Sequence, residues 1–249
     1  MVYPRVIPLL LLQGSSLVKT TKFRYPQYVG DPLNVVRIFN KKQVDEMIVI
    51  DIDASRFGNS PNYDLLEQLA GECFMPLSYG GGIHSIEQAR RIFSIGFEKI
   101  VVQSGVLLNF NFLSQLVSVF GSQSITVSVD IGYSMFSKPR VICKGRTLSH
   151  NYLDFFSSIV QLLPGELFVQ VINLDGTMNG PNFDLFSSLS DISSVPLVAA
   201  SGVSSLDDIR RLFAVGVDAV AAGSFFIYSG QYKAVLITYP KEYDIKSLK

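Results

Sequence analysis

The sequence predicts a closed barrel of eight parallel β-strands that alternate with α-helices, a (β/α)8 or TIM barrel assembled from two (β/α)4 half-barrels. Three observations predict it: the length of the chain, an internal repeat, and a regular alternation of apolar runs with amphipathic stretches. The chain has 249 residues, and one barrel of this class takes ~250 residues. Hydrophobic residues make up 48% of the chain and charged residues 17%, which allows a large core. Residues 1–249 are therefore predicted to form one domain, with an atypical segment from about residue 227 to residue 249.

The chain repeats itself at a fixed offset of 120 residues. EMIVIDIDASRFGNSPNYDL at 46–65 aligns with ELFVQVINLDGTMNGPNFDL at 166–185 without a gap. The same register continues downstream, where Gly82 pairs with Gly202 and Ser104 pairs with Ser224. One ungapped register over so long a span indicates a duplicated half.

Eight short apolar runs recur along the chain, and several lack the alternation of a half-exposed strand. Such runs are typical of parallel strands that are buried on both faces. They occupy residues 6–12, 47–52, 77–79, 100–102, 125–129, 167–172, 197–200 and 219–222. Amphipathic stretches separate them, such as residues 85–94, with an N-cap at Ser85 and a stop at Gly96. An open, doubly wound sheet is the alternative, but it accounts less well for the repeat. Segment 234–239 fits either a ninth strand or an irregular arm.

The charge balance and the few cysteines exclude several classes of function. Lys and Arg number 21, as do Asp and Glu, so the chain lacks the basic excess that nucleic-acid binding needs. Cys73 and Cys143 form no disulfide framework and suit a reducing cytosol. With only His84 and His150 beside them, neither a metal site nor another cofactor is predicted. No apolar stretch approaches the ~20 residues that span a membrane, and run 6–12 is short for an export signal, so a cytoplasmic location is predicted.

Glycine and serine follow four of the predicted strands, where a barrel places its ligand site. Gly81, Gly82 and Ser104 follow the third and fourth strands and form a predicted first cradle. The second cradle comprises the equivalent residues after the seventh and eighth strands: Ser201, Gly202, Gly223 and Ser224. Backbone N–H groups and hydroxyls in such turns bind phosphate. The two cradles predict a ligand with a phosphate at each end, whereas the alternative is that the glycines only form tight turns.

Aspartates close three of the strands and are candidates for acid–base chemistry. Asp130 ends the fifth run, Asp51 ends the second with Asp53 just beyond it, and Asp175 follows the sixth. The alternative for each is a hydrogen bond to loop backbone, which Asp often makes. His84 is interpreted as a turn residue.

A charged residue precedes four of the apolar runs, at the opposite opening of the barrel. These residues are Arg5, Glu46, Lys99 and Glu166. Two positive and two negative charges predict a ring of ion pairs around the barrel axis. Four separately solvated charges are the alternative.

These motifs resemble the cyclase subunit of imidazole glycerol phosphate synthase over nearly the whole chain to about residue 226. YGGGI at 79–83, FGSQSITVSVD at 120–130, LDGT at 174–177 and GSFF at 223–226 carry the resemblance. It implies a barrel that binds a bisphosphorylated substrate, receives ammonia from a glutaminase docked at the N-terminal face, and closes an imidazole ring. It also implies that the four charged residues just named gate the ammonia path.

The sequence departs from that family at catalytic positions. The family uses two aspartates; Asp130 matches one of them, and Leu11 stands in place of the other. A leucine side chain transfers no proton. Lys19 matches, so the candidate catalytic residues are Asp130, Lys19 and Asp175. Val203 replaces a usual glycine and puts the second cradle in doubt.

The departures resemble a branch of paralogues associated with acetamidino modification of surface-polysaccharide sugars. LVKT at 17–20, ECFMPL at 72–77 and KAVLITYP at 233–240 match that branch. Three functions stay open: a barrel that conducts ammonia in sugar amidination, an authentic cyclase of histidine biosynthesis, and a non-catalytic activator of a glutaminase. Leu11 argues against the second, and the intact Asp130 argues against the third.

Overall fold

The computed structural model describes residues 4–133 and 138–248 and contains the predicted closed barrel. Its eight parallel strands are Arg5–Gln13 (β1), Met47–Asp51 (β2), Leu77–Gly80 (β3), Lys99–Val102 (β4), Ile125–Tyr133 (β5), Glu166–Val171 (β6), Leu197–Ala200 (β7) and Ala219–Ala222 (β8). Each strand pairs with the next, and β8 pairs with β1, which closes the sheet. The prediction of a (β/α)8 barrel is confirmed.

Helices surround the barrel and alternate with its strands. They are Pro32–Lys41 (α1), Tyr63–Glu72 (α2), Ile86–Ile95 (α3), Phe110–Phe120 (α4), Tyr152–Val160 (α5), Phe183–Ser190 (α6), Leu206–Ala214 (α7) and Glu242–Lys246 (α8). Short helices at Ile52–Phe57, Ser104–Leu107 and Ser224–Ile227 follow β2, β4 and β8 directly. No helix within residues 4–133 and 138–248 combines the length and apolarity needed to cross a membrane.

The two halves share local details at positions 120 residues apart. The side chains of Ser85 and Ser205 both cap their helices in a capping box. The Arg91 guanidinium lies 3.8 Å from the Tyr63 ring centroid, and that of Arg211 lies 3.9 Å from the Phe183 ring centroid. Equivalent caps and cation–π contacts hold equivalent helices, as the repeat predicts.

Two hairpins extend the barrel at the carboxyl ends of its strands. Ser16–Thr21 pairs with β1 and with Arg24–Gly30. Pro139–Cys143 pairs with the end of β5 and with Arg146–Ser149. The prediction that the fifth strand ends at Asp130 is therefore wrong, because antiparallel pairing carries β5 on to Tyr133.

The C-terminal segment is an irregular arm, which decides between the two alternatives for residues 234–239. Its one strand pair joins Tyr228–Ser229 to Ala234–Val235 in a separate sheet. The arm then runs down the barrel, where the Tyr239 hydroxyl donates to the Val6 carbonyl at 2.8 Å. The five-residue α8 follows it. Sequence alternation was too poor here to distinguish the two forms.

Candidate functional site

A polar pocket opens at the carboxyl ends of β1, β7 and β8. The candidate residues that line it are Lys19, Asp175, Ser201, Gly202, Gly223 and Ser224. The second cradle and two of the three candidate catalytic residues therefore share one pocket. Val203 also lines it and is buried.

Lys19 is the buried cation of this pocket. Its ammonium donates to the Leu9 carbonyl at 2.6 Å and lies against Gly223, where a Cβ would collide with Nζ. Burial lowers the pKa of Lys19 to about 8, against the opposing effect of Asp175. Gly223 is therefore required by the approach of this lysine, a reason that the sequence alone does not reveal.

Asp175 ties the first hairpin to the loop after β6. Its Oδ2 accepts from the Thr20 hydroxyl at 2.9 Å, and its carbonyl accepts from the Lys22 N–H at 2.9 Å. Burial raises the pKa of Asp175, whereas Lys19 and Thr20 act in the opposite direction. Thr20 is a residue of this site that sequence reasoning missed, because only the tertiary fold brings it next to Asp175.

Packing explains glycine at three cradle positions. Gly81 and Gly82 have φ of 124° and 67°, and added Cβ atoms would collide with the Asp51 and Asn59 carbonyls. Gly202 has φ of 84° and lies against the Gly180 carbonyl in the same way. The tight-turn alternative therefore accounts for these glycines. Phosphate binding stays a prediction that depends on the neighbouring donors.

Ser201 precedes Gly202 after β7, whereas Ser104 and Ser224 follow β4 and β8. Ser104 and Ser224 each begin a short helix and are buried, at 8% and 9% exposure. The Ser201 hydroxyl accepts from the Val171 N–H at 3.2 Å, which leaves its own proton available to a ligand. His84 is exposed and its N–H donates to the Gln88 side chain at 2.7 Å, which agrees with its interpretation as a turn residue.

Asp51 is a helix cap. Its Oδ1 accepts from the Asp53 and Ala54 N–H groups at 3.0 and 2.9 Å at the start of Ile52–Phe57. This is the backbone role that was the alternative to acid–base chemistry. Among the described residues, no group of three or more His, Cys, Asp or Glu is arranged to hold a metal ion.

The Asp130 carboxyl is also buried, but unlike the Asp51 carboxyl it caps no helix of the described residues. It is 8% exposed, and its Oδ1 has no hydrogen-bond partner among the described residues. Burial raises the pKa of Asp130 to about 7, and Asp175 adds to the rise, while the Gln103 and Gln170 side chains oppose it. A carboxyl that titrates near neutrality is suited to accept and return a proton.

Leu11 lies at the same end of the barrel as Asp130 but on the opposite strand, β1. It is 9% exposed and belongs to the apolar cluster inside the barrel, with Leu9, Val18 and Ile48. Leu11 also lines the polar pocket that contains Lys19 and Asp175, so it borders both the apolar cluster and the polar mouth.

The four charged residues at the N-terminal opening form a continuous set of ion pairs, here called the N-terminal ion-pair cluster. Arg5 contacts Glu46 Oε1 at 2.7 Å and Glu166 Oε1 at 2.7 Å. Lys99 Nζ contacts Glu166 Oε1 at 2.7 Å. The solvated-charge alternative is therefore wrong. Among residues 4–133 and 138–248 no ion pair joins Lys99 to Glu46, so the cluster is an open chain and the expected closed ring is corrected.

Glu166 is the centre of this cluster. It is 7% exposed, and its Oε2 accepts from the Thr126 hydroxyl at 3.3 Å. Burial opposes ionisation, but Arg5 and Lys99 outweigh it and lower the pKa of Glu166. Thr126 was missed by sequence reasoning. The available signal was its spacing of two residues from Ser128 and four from Asp130, which places the three side chains on one face of β5.

We predict that Asp130 makes the fold less stable as the pH rises. Its folded pKa is about 7 against an ordinary 3.8, so stability is full below the ordinary value and is lost as the pH rises through 7. Raising the pH from 5 to 8 should therefore lower the free energy of unfolding of the parent by about 2–3 kcal/mol more than that of Asp130→Asn. Urea unfolding at both pH values measures this. Asp191→Asn, at an exposed position, is the control, and equal pH profiles for the parent and Asp130→Asn would contradict the prediction.

The protein is a (β/α)8 barrel with a polar pocket at the carboxyl ends of its strands, the end where barrels of this class have their active sites. The chain belongs to the family described as "Histidine biosynthesis protein", whose model matches residues 5–233. A Leptospira borgpetersenii protein named "Putative imidazole glycerol phosphate synthase subunit HisF" is 44% identical, over 100% of this chain and 99% of the relative.

Two further relatives carry similar names. The Pseudomonas aeruginosa "Putative imidazole glycerol phosphate synthase subunit hisF2" is 43% identical, over 96% of this chain and 97% of its own. The Dictyoglomus turgidum "Imidazole glycerol phosphate synthase subunit HisF" is 33% identical, over 91% of this chain and 90% of its own. The chain is thus a HisF-family protein that resembles a cyclase subunit, as its motifs predicted.

Proposed function

We propose that this chain is the ammonia-receiving barrel of a glutamine-dependent amidination system that modifies a surface-polysaccharide sugar. In this proposal a glutaminase docks at the N-terminal face, ammonia enters past the N-terminal ion-pair cluster, and a phosphorylated ligand binds at the mouth. The main observation in support of the proposal is Leu11. Histidine-pathway ring closure in the family uses two carboxylates, and this barrel keeps only Asp130, with a buried leucine at the other position.

The N-terminal ion-pair cluster supports the entry of a small neutral molecule. Lys99 holds one contact to Glu166, while Arg5 joins Glu166 to Glu46. Lys99 stands at one end of the cluster, so its side chain can rotate away after the loss of one ion pair, the one with Glu166. Ammonia is uncharged and small, and it would pass with little loss of solvation.

The second cradle supports a phosphorylated ligand through charge as well as backbone. Lys19 is positive over most of the neutral range because its pKa is about 8, and it adjoins Gly223 and Ser224. A buried ammonium attracts phosphate more strongly than an exposed one. The Val203 side chain keeps a phosphate further from the backbone than glycine would. The positive charge of Lys19 offsets that loss.

We therefore predict that Lys19→Met loses anion binding at the second cradle only. Crystals soaked in sulfate should show density beside Ser224 and beside Ser104 in the parent, and beside Ser104 alone in the variant. The first cradle serves as the internal control, since it follows β3 and β4 and not β7 and β8. Sulfate retained beside Ser224 in Lys19→Met would show that the lysine does not hold the anion.

The authentic cyclase is the second candidate, and a specific observation favours it. Lys19 and Asp130 are buried and Asp175 is half-buried, and all three lie at the mouth where a cyclase would hold its catalytic residues. A third candidate, a non-catalytic activator of a glutaminase, would have no need for a buried carboxyl such as Asp130.

Deletion of the gene from its host separates these functions. The proposal expects a strain that still grows without histidine and whose surface polysaccharide lacks its amidino group by mass spectrometry. Reintroduction of the parent chain should restore the group. A histidine requirement in the deletion strain would instead establish the authentic cyclase, and a polysaccharide of unchanged mass would overturn the proposed role in amidination.

A further inference from the structure

Three arginine side chains have no ion-pair, hydrogen-bond or aromatic partner among the described residues, and all three lie on the two hairpins at the mouth. Arg24 is on the first hairpin (residues 16–30), and Arg140 and Arg146 are on the second (residues 139–149). Every other arginine of the chain is held by a carboxylate or lies over an aromatic ring: Arg5, Arg37, Arg56, Arg90, Arg91, Arg210 and Arg211. The arginines at the mouth are therefore free to bind something outside the chain.

The two hairpins carry positive charge only. Each of them contains three Lys or Arg residues, and neither contains Asp or Glu. The chain as a whole has 21 basic and 21 acidic residues, so this excess of positive charge is local to the hairpins. Charge of one sign beside a concave site attracts ligands of the opposite sign. The hairpins therefore favour an anionic ligand at the mouth.

Arg140 faces the mouth from the second hairpin. It pairs with Gly132 on β5, and Ile142 pairs with Asp130. Directly opposite residues of an antiparallel pair project to the same face, as do residues two apart on one strand. Arg140 therefore shares the face of the Asp130 carboxyl. A contact supports this orientation, because a Cβ added to Gly132 would lie 2.8 Å from the Ile142 side chain.

Arg140 differs from the other two mouth arginines in its burial. It is half-buried, and its Nε is out of contact with solvent and has no hydrogen-bond partner among the described residues. Arg24 and Arg146 are exposed, so water solvates them. A buried N–H group without an acceptor is unfavourable, and proteins contain few such groups without a specific reason, such as a bound ion. Arg140 is thus the mouth arginine that requires an acceptor from a ligand.

Arg140 lies between the two cradles around the barrel. The first cradle follows β3 and β4 and the second follows β7 and β8, while the second hairpin extends β5. The turn of this hairpin reaches toward the first cradle, because burial and the nearby Lys144 lower the pKa of His84, which follows Gly82 by two residues. A ligand bound at both cradles would therefore have Arg140 beside its middle part.

We propose that Arg140 binds a third acidic group of the ligand, a carboxylate or a phosphate between the two phosphates that the cradles hold. The proposal rests on the proposed function, in which a phosphorylated ligand occupies the mouth, and adds that this ligand carries at least three acidic groups. A planar guanidinium donates two parallel N–H bonds to a pair of oxygens, and carboxylate and phosphate both offer such a pair. An acidic protein surface is disfavoured, because it would contact the exposed Arg24 and Arg146 and not a buried Nε.

NMR spectroscopy of the arginine Nε–H groups tests the site on the full chain alone. The chain is labelled with ¹⁵N-arginine, and Arg140→Lys identifies the Arg140 signal by its absence. Inorganic phosphate and acetate are titrated against chloride at constant ionic strength. The Arg140 signal should shift to saturation with at least one of them, and the ion that binds more tightly tells whether the third group is a phosphate or a carboxylate. Arg37 and Arg210, which already have carboxylate partners, serve as internal references. An Arg140 signal that responds to neither ion would overturn the proposal.

Matched variants distinguish a built site from general attraction by the positive hairpins. Arg140→Met and Arg146→Met each remove one positive charge from the second hairpin, but only the former removes the buried donor. The backbone N–H signal of Gly132, opposite Arg140, reports binding in both. Binding should weaken about tenfold or more in Arg140→Met, as expected for the loss of a hydrogen bond to a charged group. It should weaken about twofold or less in Arg146→Met, because salt screens an exposed charge. Equal weakening in the two variants would overturn the site.

The third-group site and the proposed function can fail separately. The titration involves neither a glutaminase nor a sugar acceptor. A silent Arg140 signal, in a protein whose deletion does remove the amidino group, would reject the site and leave the proposed function standing. A saturable Arg140 shift, in a protein whose deletion leaves the polysaccharide unchanged, would support the site and reject the role in amidination.

Discussion

Supplied with excess ammonium and the ribulosyl intermediate of histidine biosynthesis, this chain should close the imidazole ring about 10²–10⁴-fold more slowly than an authentic two-aspartate cyclase. General acid–base catalysis contributes a factor of this size, and Leu11 removes one of the two groups. Free ammonium makes the glutaminase irrelevant, so the rate reports the barrel alone. Product formation is followed at saturating substrate to exclude a difference in binding.

Leu11→Asp is the informative variant for this prediction. It should recover part of the missing rate, whereas Leu11→Asn, of nearly the same size but without a titratable group, should not. The aspartate enters the apolar cluster around Leu9 and Ile48, so we also expect a loss of stability, because burying a carboxyl among hydrocarbon is unfavourable. A parent chain that turns over as fast as an authentic cyclase would refute the amidination proposal.

Lys99→Met should uncouple glutamine hydrolysis from amidination in the assembled complex. Among the described residues Lys99 stands at one end of the N-terminal ion-pair cluster and contacts Glu166, and methionine keeps most of the length of the side chain without its charge. We expect glutamine hydrolysis to continue, and the amidinated product formed per glutamine to fall several-fold as ammonia leaks. Stability should fall by only about 1–2 kcal/mol, between an exposed and a fully buried pair.

Two control measurements show whether a loss of product per glutamine is specific to the N-terminal ion-pair cluster. Arg37→Met removes an exposed ion pair with Glu72 and should leave the product per glutamine unchanged. Sulfate binding beside Ser104 should also persist in Lys99→Met, because the cradle lies at the other end of the barrel. An unchanged ratio of product to glutamine in Lys99→Met would mean that the N-terminal ion-pair cluster stabilises the opening without gating it.

Local patterns predicted most of the fold. Continuous apolar runs placed all eight barrel strands, because strands buried on both faces cannot alternate. The repeat of 120 residues predicted equivalent caps at Ser85 and Ser205, and both are present. The C-terminal arm could not be predicted in this way, because it is held by single contacts such as Tyr239 to Val6, which leave no periodic signal.

The candidate site was likewise predicted only in part from the sequence. The sequence by itself placed the four charged residues, since a residue at the start of a parallel strand lies at one rim of the barrel whatever surrounds it. It also placed Asp130 near the opposite rim, whereas Leu11 was singled out by the family resemblance. Only the tertiary structure decided which side chains meet: Lys19 lies beside Gly223, Thr20 donates to Asp175, and Glu166 lies between Arg5 and Lys99. It also leaves Asp130 Oδ1 without a partner among the described residues. These contacts join strands and loops far apart in the chain, and burial then sets the charge of each group. Neither distance nor desolvation is encoded in the order of neighbouring residues.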